Sequence, residues 1–576
     1  MSQGESCVNC IQRTLVSAPK SQHLRLLSVS FVLLCLTASA ANAQLWKQSQ
    51  QLPLCSKLPS SNNNNPTLQA SSGAQMACFG VQSNGAPQRA ITPLVSSVSG
   101  DSFATTNVNA ANTNEDQTNG TRAFGQSEVS IAAAGPYVVE AWNDATGFFA
   151  PVCAAQNKDQ LTGLGFSANG GKSFFDLGGL PNVNCATSVF QGDPSVEVFQ
   201  TGGNTYFYVS SLFFNTSDFS EQIAMDVCQV TGSTLTCNPT PVIIADPGAF
   251  GFDDKDFMAI DAARGLLYVT YTDFSFGDTI KLSVCDIGNG ALGGSPAAPV
   301  CNSKIGPTPG YLSIATSNSC AEIEGAYPAV DAGSGDIYVA FESNWATNLF
   351  GCNTIPVQDV MNFVPASCIA LPGSSPCRGP AARKGIPIVS IDSAFVSGYN
   401  RFPPNDFPRP AVSDVNGTVS MVWNDTRKDV LGNILLQSFN LTSLSLVQSR
   451  PVPLDNDGIA GNLHFMPALR NVDAHGNLNV TWYDRRLNPN SASTDVFGAF
   501  GVNPRTSTTP TSNTRVTNVS SDWLAVSSDI IPNFGDYTDN YMELLASPGV
   551  STQAYVAWSD GRINDPQPFN AHQGLP

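Results

Sequence analysis

One unit recurs along the chain from about residue 126: a short apolar strand, a glycine-containing turn, and a second strand of alternating β-branched and aromatic residues. The second strand ends in Trp, Tyr or Phe, then one residue, then Asp or a relative of it. The copies are SEVSIAAAGPYVVEAWND, GDPSVEVFQTGGNTYFYVSS, DKDFMAIDAARGLLYVTYTD, EGAYPAVDAGSGDIYVAFES, RPAVSDVNGTVSMVWND, MPALRNVDAHGNLNVTWYD and, less regularly, DNYMELLASPGVSTQAYVAWSD. Aligned on Ser130, Ser195, Ala259, Ala329, Ala411, Ala468 and Glu543, they lie 57 to 82 residues apart. Period-2 alternation marks strands with one buried face, and a repeated unit decides the architecture because neighbouring copies must cover each other's apolar faces. Each interval has room for four short strands, the content of one propeller blade rather than one turn of a thin solenoid. Further strands are visible in NILLQSFNLTSLSLVQSRPV. The expected fold is all-β: a β-propeller of four-stranded antiparallel blades, seven blades favoured. Six remain if the last copy is only a closing partial blade. A strand near Ile91 to Val98 is expected to complete the ring.

Composition agrees with a strand-built fold and removes several functions. Charged residues make up 12% of the 576, with 48 Gly and 39 Pro, against about 25% charged in an ordinary domain. Coiled coils and helical bundles are thereby disfavoured, while a hydrophobic fraction of 42% still allows a large core. The net charge of -18 repels phosphate backbones, so nucleic acid is not an expected partner.

Residues 24 to 43 follow Arg13 and Lys20, include Arg25, carry an apolar run from Val29 to Leu36, and end in Ala41-Asn42-Ala43. This pattern is that of a secretory signal peptide cleaved before Gln44. The run is too short for a membrane span, and none is expected after cleavage. The chain then divides into a leader, 1–43; a Ser-, Asn- and Pro-rich segment, 44–122; and the repeat region, 123–576. Of the 15 cysteines, Cys7, Cys10 and Cys35 leave with the leader. The remaining even number in an exported chain favours disulfides over metal ligation. Taken in order they form local pairs: Cys55/Cys78, Cys153/Cys185, Cys228/Cys237, Cys285/Cys301, Cys320/Cys352 and Cys368/Cys377. Cys228 and Cys237 flank a Gly-Ser turn and would face each other across a hairpin.

The segment Phe166-Ser-Ala-Asn-Gly-Gly-Lys-Ser-Phe174 matches the Asp-box Ser-x-Asp-x-Gly-x-x-Trp/Phe, with Asn169 in the Asp place. Asn169 would hydrogen-bond the turn, Gly171 would supply a permissive dihedral, and Phe174 would plug between strands. Together with the repeated first strands and the Trp-x-Asp-x-Arg endings, residues 126 to 562 resemble the sialidase superfamily of secreted propellers. The resemblance implies a glycan-directed protein and, in an ordinary sialidase, three arginines on the substrate carboxylate, a Tyr nucleophile assisted by Glu, and an Asp acid/base. The family's Arg-Ile-Pro motif is absent; Gly385-Ile386-Pro387 follows Lys384 and lies mid-chain.

In a propeller the first strands line the axial channel, so residues just before them gather at one mouth. That mouth would receive Glu128, Asp193, Lys255, Asp256, Glu324, Tyr327, Arg409, His464, Asp536 and Tyr537. Glu324, Tyr327, Asp193 and Asp256 are the candidate catalytic residues, since clustered carboxyls can separate their pKa values into acid and base. Glu128, Lys255, Arg409, His464, Asp536 and Tyr537 are candidates for holding substrate. The repeated Trp423-x-Asp425-x-Arg427, Trp482-x-Asp484-x-Arg486 and Trp558-x-Asp560-x-Arg562 occupy equivalent positions, which favours Asp turn caps with Arg bridging blades and Trp in the inter-blade core. Asp455-Asn456-Asp457-Gly458 reads as a turn, and four histidines without a zinc motif leave no metal or other cofactor expected. The expectation is a monomeric propeller acting on or binding a glycan or glycoconjugate, as a glycoside hydrolase or as a non-catalytic binder of glycan or protein.

Overall fold

The computed structural model describes Ser71, Ala74, Gln75, Cys78 and the chain from Thr106 to Pro576, apart from residues 115–116, 119–120, 123, 276, 303, 306–307, 310, 318–321, 346–356, 370–379, 389–395, 401–406, 430, 458–460, 507, 511 and 548. The recurring unit folds as expected: seven antiparallel sheets built on four-strand meanders, three of them with one or two added short strands, form a seven-bladed β-propeller. Blade 1 runs through Gln126–Ala134, Tyr137–Asp144, Thr162–Ser167 and Phe175–Gly179. The innermost strands of blades 2 to 7 are Ser195–Thr201, Asp253–Asp261, Glu322–Val330, Arg409–Ser413, His464–Ala468 and Asp539–Ser547.

Ring closure comes from the N-terminal side. Val108–Asn109 pairs with the third strand of blade 7, Gln567–Leu575, as its outermost strand. Ile91 to Val98, the expected closing strand, lies outside the described residues. The core is divided into seven inter-blade layers, one for each junction, including Val129, Ile131, Trp142, Tyr555 and Ala557 between blades 1 and 7. This is the packing that alternation demands, because both faces of every blade are covered by a neighbour.

The Trp-x-Asp-x-Arg endings explain part of the ring's rigidity. Trp482 Nε1 donates to Asp484 at 2.8 Å, the Arg486 backbone N–H donates to the same carboxylate at 2.8 Å, and the Arg486 guanidinium reaches Asn456 and Asn513. Asp425 and Asp560 cap their turns in the same way, and Arg427 crosses to Pro387 O of blade 4. Trp142, Trp423, Trp482 and Trp558 are buried between blades. In the turn at Asn169, Oδ1 accepts from Ser173 N at 3.0 Å, Gly171 has φ 79°, and Phe174 packs against the blade 1/7 layer.

Disulfides join Cys153–Cys185, Cys228–Cys237 and Cys285–Cys301, three of the expected pairs. Cys78 and Cys368 are also disulfide-bonded; Cys55, Cys377, Cys320 and Cys352 lie outside the described residues, as does the leader. Among the described residues no helix is long and apolar enough to cross a membrane. The segment before the propeller is anchored where it is described: Ser71 N and Oγ donate to Asp254 at 3.1 and 2.6 Å, and Ala74 and Cys78 join the core between blades 2 and 3.

Candidate functional site

The innermost strands bring one position of every blade to the axis. Pairing with the second strands places Ser130, Ser195, Phe257, Tyr327, Arg409, Ala468 and Asp539 opposite Ala141, Ser210, Thr270, Ala340, Val422, Thr481 and Ala557. Those partners all directly precede the Trp, Tyr, Phe or Ser that opens the strand ending. The alignment on Ala259, Ala329, Ala411 and Glu543 is therefore corrected to Phe257, Tyr327, Arg409 and Asp539. The slip is by two or four residues, an even number, which leaves every side chain on its original face and so leaves the alternation unchanged.

Just ahead of this ring the regular pairing breaks in blades 1, 3, 4 and 6. The residue two places before the ring position has φ of 54° at Glu128, 56° at Asp193, 53° at Lys255, 69° at Gly325 and 51° at Met466. Left-handed backbone at a non-glycine residue costs about 1–3 kcal/mol and persists only where the surroundings hold it. At Glu128, Asp193 and Lys255 that surrounding is a buried polar network. Asn143 Nδ2 donates to Glu128 Oε2 at 3.1 Å and to Asp193 Oδ1 at 3.4 Å, and Asp536 N donates to Glu128 Oε1 at 3.0 Å. Lys255 Nζ lies 2.5 Å from Asp536 Oδ2, with both side chains buried. Burial opposes the Lys255 charge, but Asp536, Glu324, Asp254 and Asp193 outweigh it and hold its pKa above the usual value. Burial, then the Glu128 charge, pushes the Asp193 carboxyl well up. Burial raises Asp256 to about 8 against the opposing bond from Ser210.

Next to this network sits an aromatic cluster of Phe257, Tyr327, Phe407 and Tyr537. Phe257 and Tyr327 stack at 3.6 Å between centroids, and the Arg409 guanidinium carbon lies 3.8 Å from the Tyr327 ring centre. Stacked guanidinium and ring faces attract electrostatically. Tyr537 Oη donates to Pro194 O at 3.0 Å. Burial pushes both the Tyr327 and Tyr537 hydroxyls up. Two narrow adjoining cavities open here, sharing Tyr327, Arg409 and Tyr537 as walls. One is closed by Arg470 and Asp539, the other by Asn424, Phe407, Met466 and Asp536.

Arg409 is 3% exposed. Its Nη2 donates to Thr538 O, while Nε and Nη1 have no partner among the described residues. Asn424 is 0% exposed and neither its Oδ1 nor its Nδ2 has a partner among them. Native interiors rarely leave such groups unpaired, since each costs about 1–3 kcal/mol. Arg470 contrasts with Arg409: it is saturated by Glu197 at 3.1 Å and Asp539 at 2.7 Å.

The expected site residues thus separate into groups. Glu128, Asp193, Lys255, Asp536 and Glu324 share the buried charge network; Tyr327, Arg409, Asp536 and Tyr537 form cavity walls. Asp256 turns away to Ser210. His464 lies elsewhere, with Nδ1 3.0 Å from Gly432 O and Nε2 3.1 Å from Asp457 Oδ2. Asp455, Asp457 and His464 have ligand atoms within 4.8 Å of one another. Nδ1 is turned to a carbonyl and Nε2 to a carboxylate, an arrangement that favours the doubly protonated, charged ring. Burial opposes that charge, but Asp484 and Asp457 raise the His464 pKa to about 9. Asn424, Phe257, Phe407, Arg470 and Asp539 were not among the sequence candidates. Asn424 carries the one available signal, a Trp-Asn-Asp ending shared with Asn143.

No family model matches the chain, and no curated protein does. Solved structures similar to it include an α-L-arabinofuranosidase of Fusarium graminearum with arabinobiose, at 10% identity and TM-score 0.37, covering 62% of this chain and 88% of that one. A Trypanosoma rangeli sialidase is similar at 11% identity and TM-score 0.35, covering 71% of this chain and 60% of that one. Another is the Hadza microbial sialidase Hz136, at 10% identity and TM-score 0.35, covering 68% of this chain and 66% of that one. Likeness at this level carries no argument about activity, and the propeller rests on the strand pairing itself.

Proposed function

We propose that this is an exported propeller that recognises a glycan in its axial mouth, against Arg409, Asn424, Tyr327 and Tyr537. The observation that supports it is the buried Arg409 guanidinium, whose Nε and Nη1 have no partner among the described residues, in the wall of a small cavity it shares with Tyr327, Phe407 and Tyr537. Ligand sites typically combine such apolar walls with a few convergent polar groups. Aromatic faces suit the C–H faces of a sugar, and the free donors suit its oxygens.

Hydrolysis would require two carboxyls flanking a glycosidic bond. Of the candidates Glu324, Tyr327, Asp193 and Asp256, only Tyr327 is among the described cavity walls. The carboxylates on those walls, Asp536 and Asp539, are engaged by Lys255 and Arg470. Burial makes the Tyr327 hydroxyl harder to ionise, which works against its use as a nucleophile. These features favour a second reading, binding without turnover.

A glycan array and a turnover assay on the same oligosaccharides separate the two. Binding lost in Arg409→Met supports the mouth as the site, and binding unaffected by that change refutes it. Turnover abolished in Glu324→Gln or Tyr327→Phe supports the hydrolase with its proposed residues.

A further inference from the structure

Two acids stand where strand alternation calls for hydrocarbon. In the second strand of blade 1, Tyr137–Asp144, Val139 and Ala141 face blade 2, so Glu140 between them faces blade 7, in the layer of Ile131, Trp142 and Tyr555. In the third strand of blade 2, Ser220–Thr231, Ala224 and Cys228 face blade 1, and Asp226 lies on their side, opposite Val209, in the layer of Val139, Leu164 and Leu180. Both acids are 0% exposed. Blade 1 therefore has one buried carboxyl against each of its faces.

Neither carboxyl has the partners that a buried charge requires. Asp226 has no hydrogen-bond partner on either oxygen among the described residues, and burial alone drives its pKa well upward. The titratable side chains packed against its layer are Tyr137 and Tyr541, and neither is a cation. Glu140 Oε2 accepts from Asn570 Nδ2 of blade 7 at 2.6 Å, while Oε1 has no partner among the described residues. Also facing Glu140 from blade 7 are Tyr541 and Tyr555, His572 beside Gly171, and Asp539, whose carboxylate is held by Arg470 at 2.7 Å. Burial raises Glu140 to about 8 against the Asn570 bond, with the Asp539 charge adding to the rise. A carboxylate stripped of water and left without a cation is strongly disfavoured, whereas a neutral acid buries only a dipole.

Their place in the ring gives these acids a consequence. The two ends of the ring meet at blade 1, and Val108–Asn109 pairs with blade 7 over only two residues before the chain enters that blade. We propose that blade 1 is seated by a pH-sensitive latch: neutral Glu140 and Asp226, one in each flanking layer, hold the blade in the ring in acidic surroundings, and their ionisation loosens it as pH rises. Because both folded carboxyls titrate above their unfolded values, their stabilising contribution is complete below an unfolded pKa of about 4 and is lost as pH rises, for Glu140 through about 8. Between those limits each group favours opening by about tenfold more per pH unit. The latch does not depend on what the axial mouth binds.

Hydrogen exchange of the full chain, disulfides intact, followed by mass spectrometry from pH 5 to 8 and corrected for intrinsic rates, tests it. The peptides compared are the first two strands of blade 1 and those of blade 5, Arg409–Ser413 and Thr418–Asp425, in wild type, Glu140→Gln, Asp226→Asn and Asp226→Val. Wild-type blade 1 should open more readily as pH rises, with a steeper dependence than blade 5. Glu140→Gln, which keeps an acceptor for Asn570, and Asp226→Asn should each remove about a factor of ten per pH unit. Asp226→Val, which matches the hydrocarbon around it, should hold blade 1 more tightly than wild type at pH 8 and keeps the test open if an amide variant fails to fold. An unchanged pH dependence in the variants overturns the latch. So does opening of blade 1 only together with blade 5, or an Asp226→Val blade 1 that opens as readily as wild type at pH 8.

Discussion

Replacing Lys255 by Met should destabilise the propeller severely. Lys255 is 2% exposed and is the cation at the centre of a buried group of acids: Asp536 at 2.5 Å, with Glu324, Asp254 and Asp193 acting on it. Methionine keeps much of the stem's volume, so the main effect is electrostatic. Taking one partner from a buried ion pair strands the other charge and costs about 3–5 kcal/mol. Equilibrium urea unfolding at pH 7 with disulfides intact, followed by tryptophan fluorescence, measures this. Lys255→Met/Asp536→Asn should lose less than Lys255→Met alone, because the stranded charge is gone. The deficit of the single variant should shrink as pH falls, since acids whose folded pKa is raised are stabilised in their neutral form and lose that stability as pH rises. A loss below about 1 kcal/mol, or a double variant equal to the sum of its parts, refutes the picture of one cation neutralising a buried acid cluster.

Three further outcomes follow from the same geometry. His464 titrates near 6.5 unfolded and at about 9 folded, so its contribution of about 3 kcal/mol is complete below the unfolded pKa and lost as pH rises through the folded one. The slope of stability against pH between those limits should flatten in His464→Asn, and an unchanged slope would contradict the pairing with Asp457 and Asp484. Asp484→Ala strands Trp482 Nε1 and the Arg486 N–H; unfolding titrations should show a loss of about 2–3 kcal/mol, and no loss would remove the turn-cap role. Serine at both Cys228 and Cys237, which close a loop with separation 9, should cost about 2–3 kcal/mol in melting or urea experiments, and mass mapping of non-reduced peptides should recover that pair.

The fold was legible because strand alternation and the Trp-x-Asp endings repeat, and because the hairpin cysteines at 228 and 237 sit on either side of a visible turn. What could not be read was the register of the inner strands: a two-residue slip keeps Ala259 and Phe257 on one face, so only pairing distinguishes them. The pairing of Val108–Asn109 with blade 7 was not legible for a related reason, since two residues are too short to show alternation. The site was half legible. Polar residues at blade starts announced the charge network, and Arg409 and Tyr327 were among them. His464 lay in the same sequence position class, but its imidazole turns to Gly432 and Asp457, a choice of direction that sequence does not carry.

The proposed ligand site is the axial mouth around Arg409. A crystal structure of the protein soaked with the oligosaccharide that binds most strongly on a glycan array tests it directly. Sugar oxygens are expected within hydrogen-bonding distance of Arg409 Nε or Nη1 and of the Asn424 amide, with a ring face against Tyr327 or Tyr537. A sugar bound at the outer edge of the blades, with Arg409 and Asn424 untouched, would contradict it.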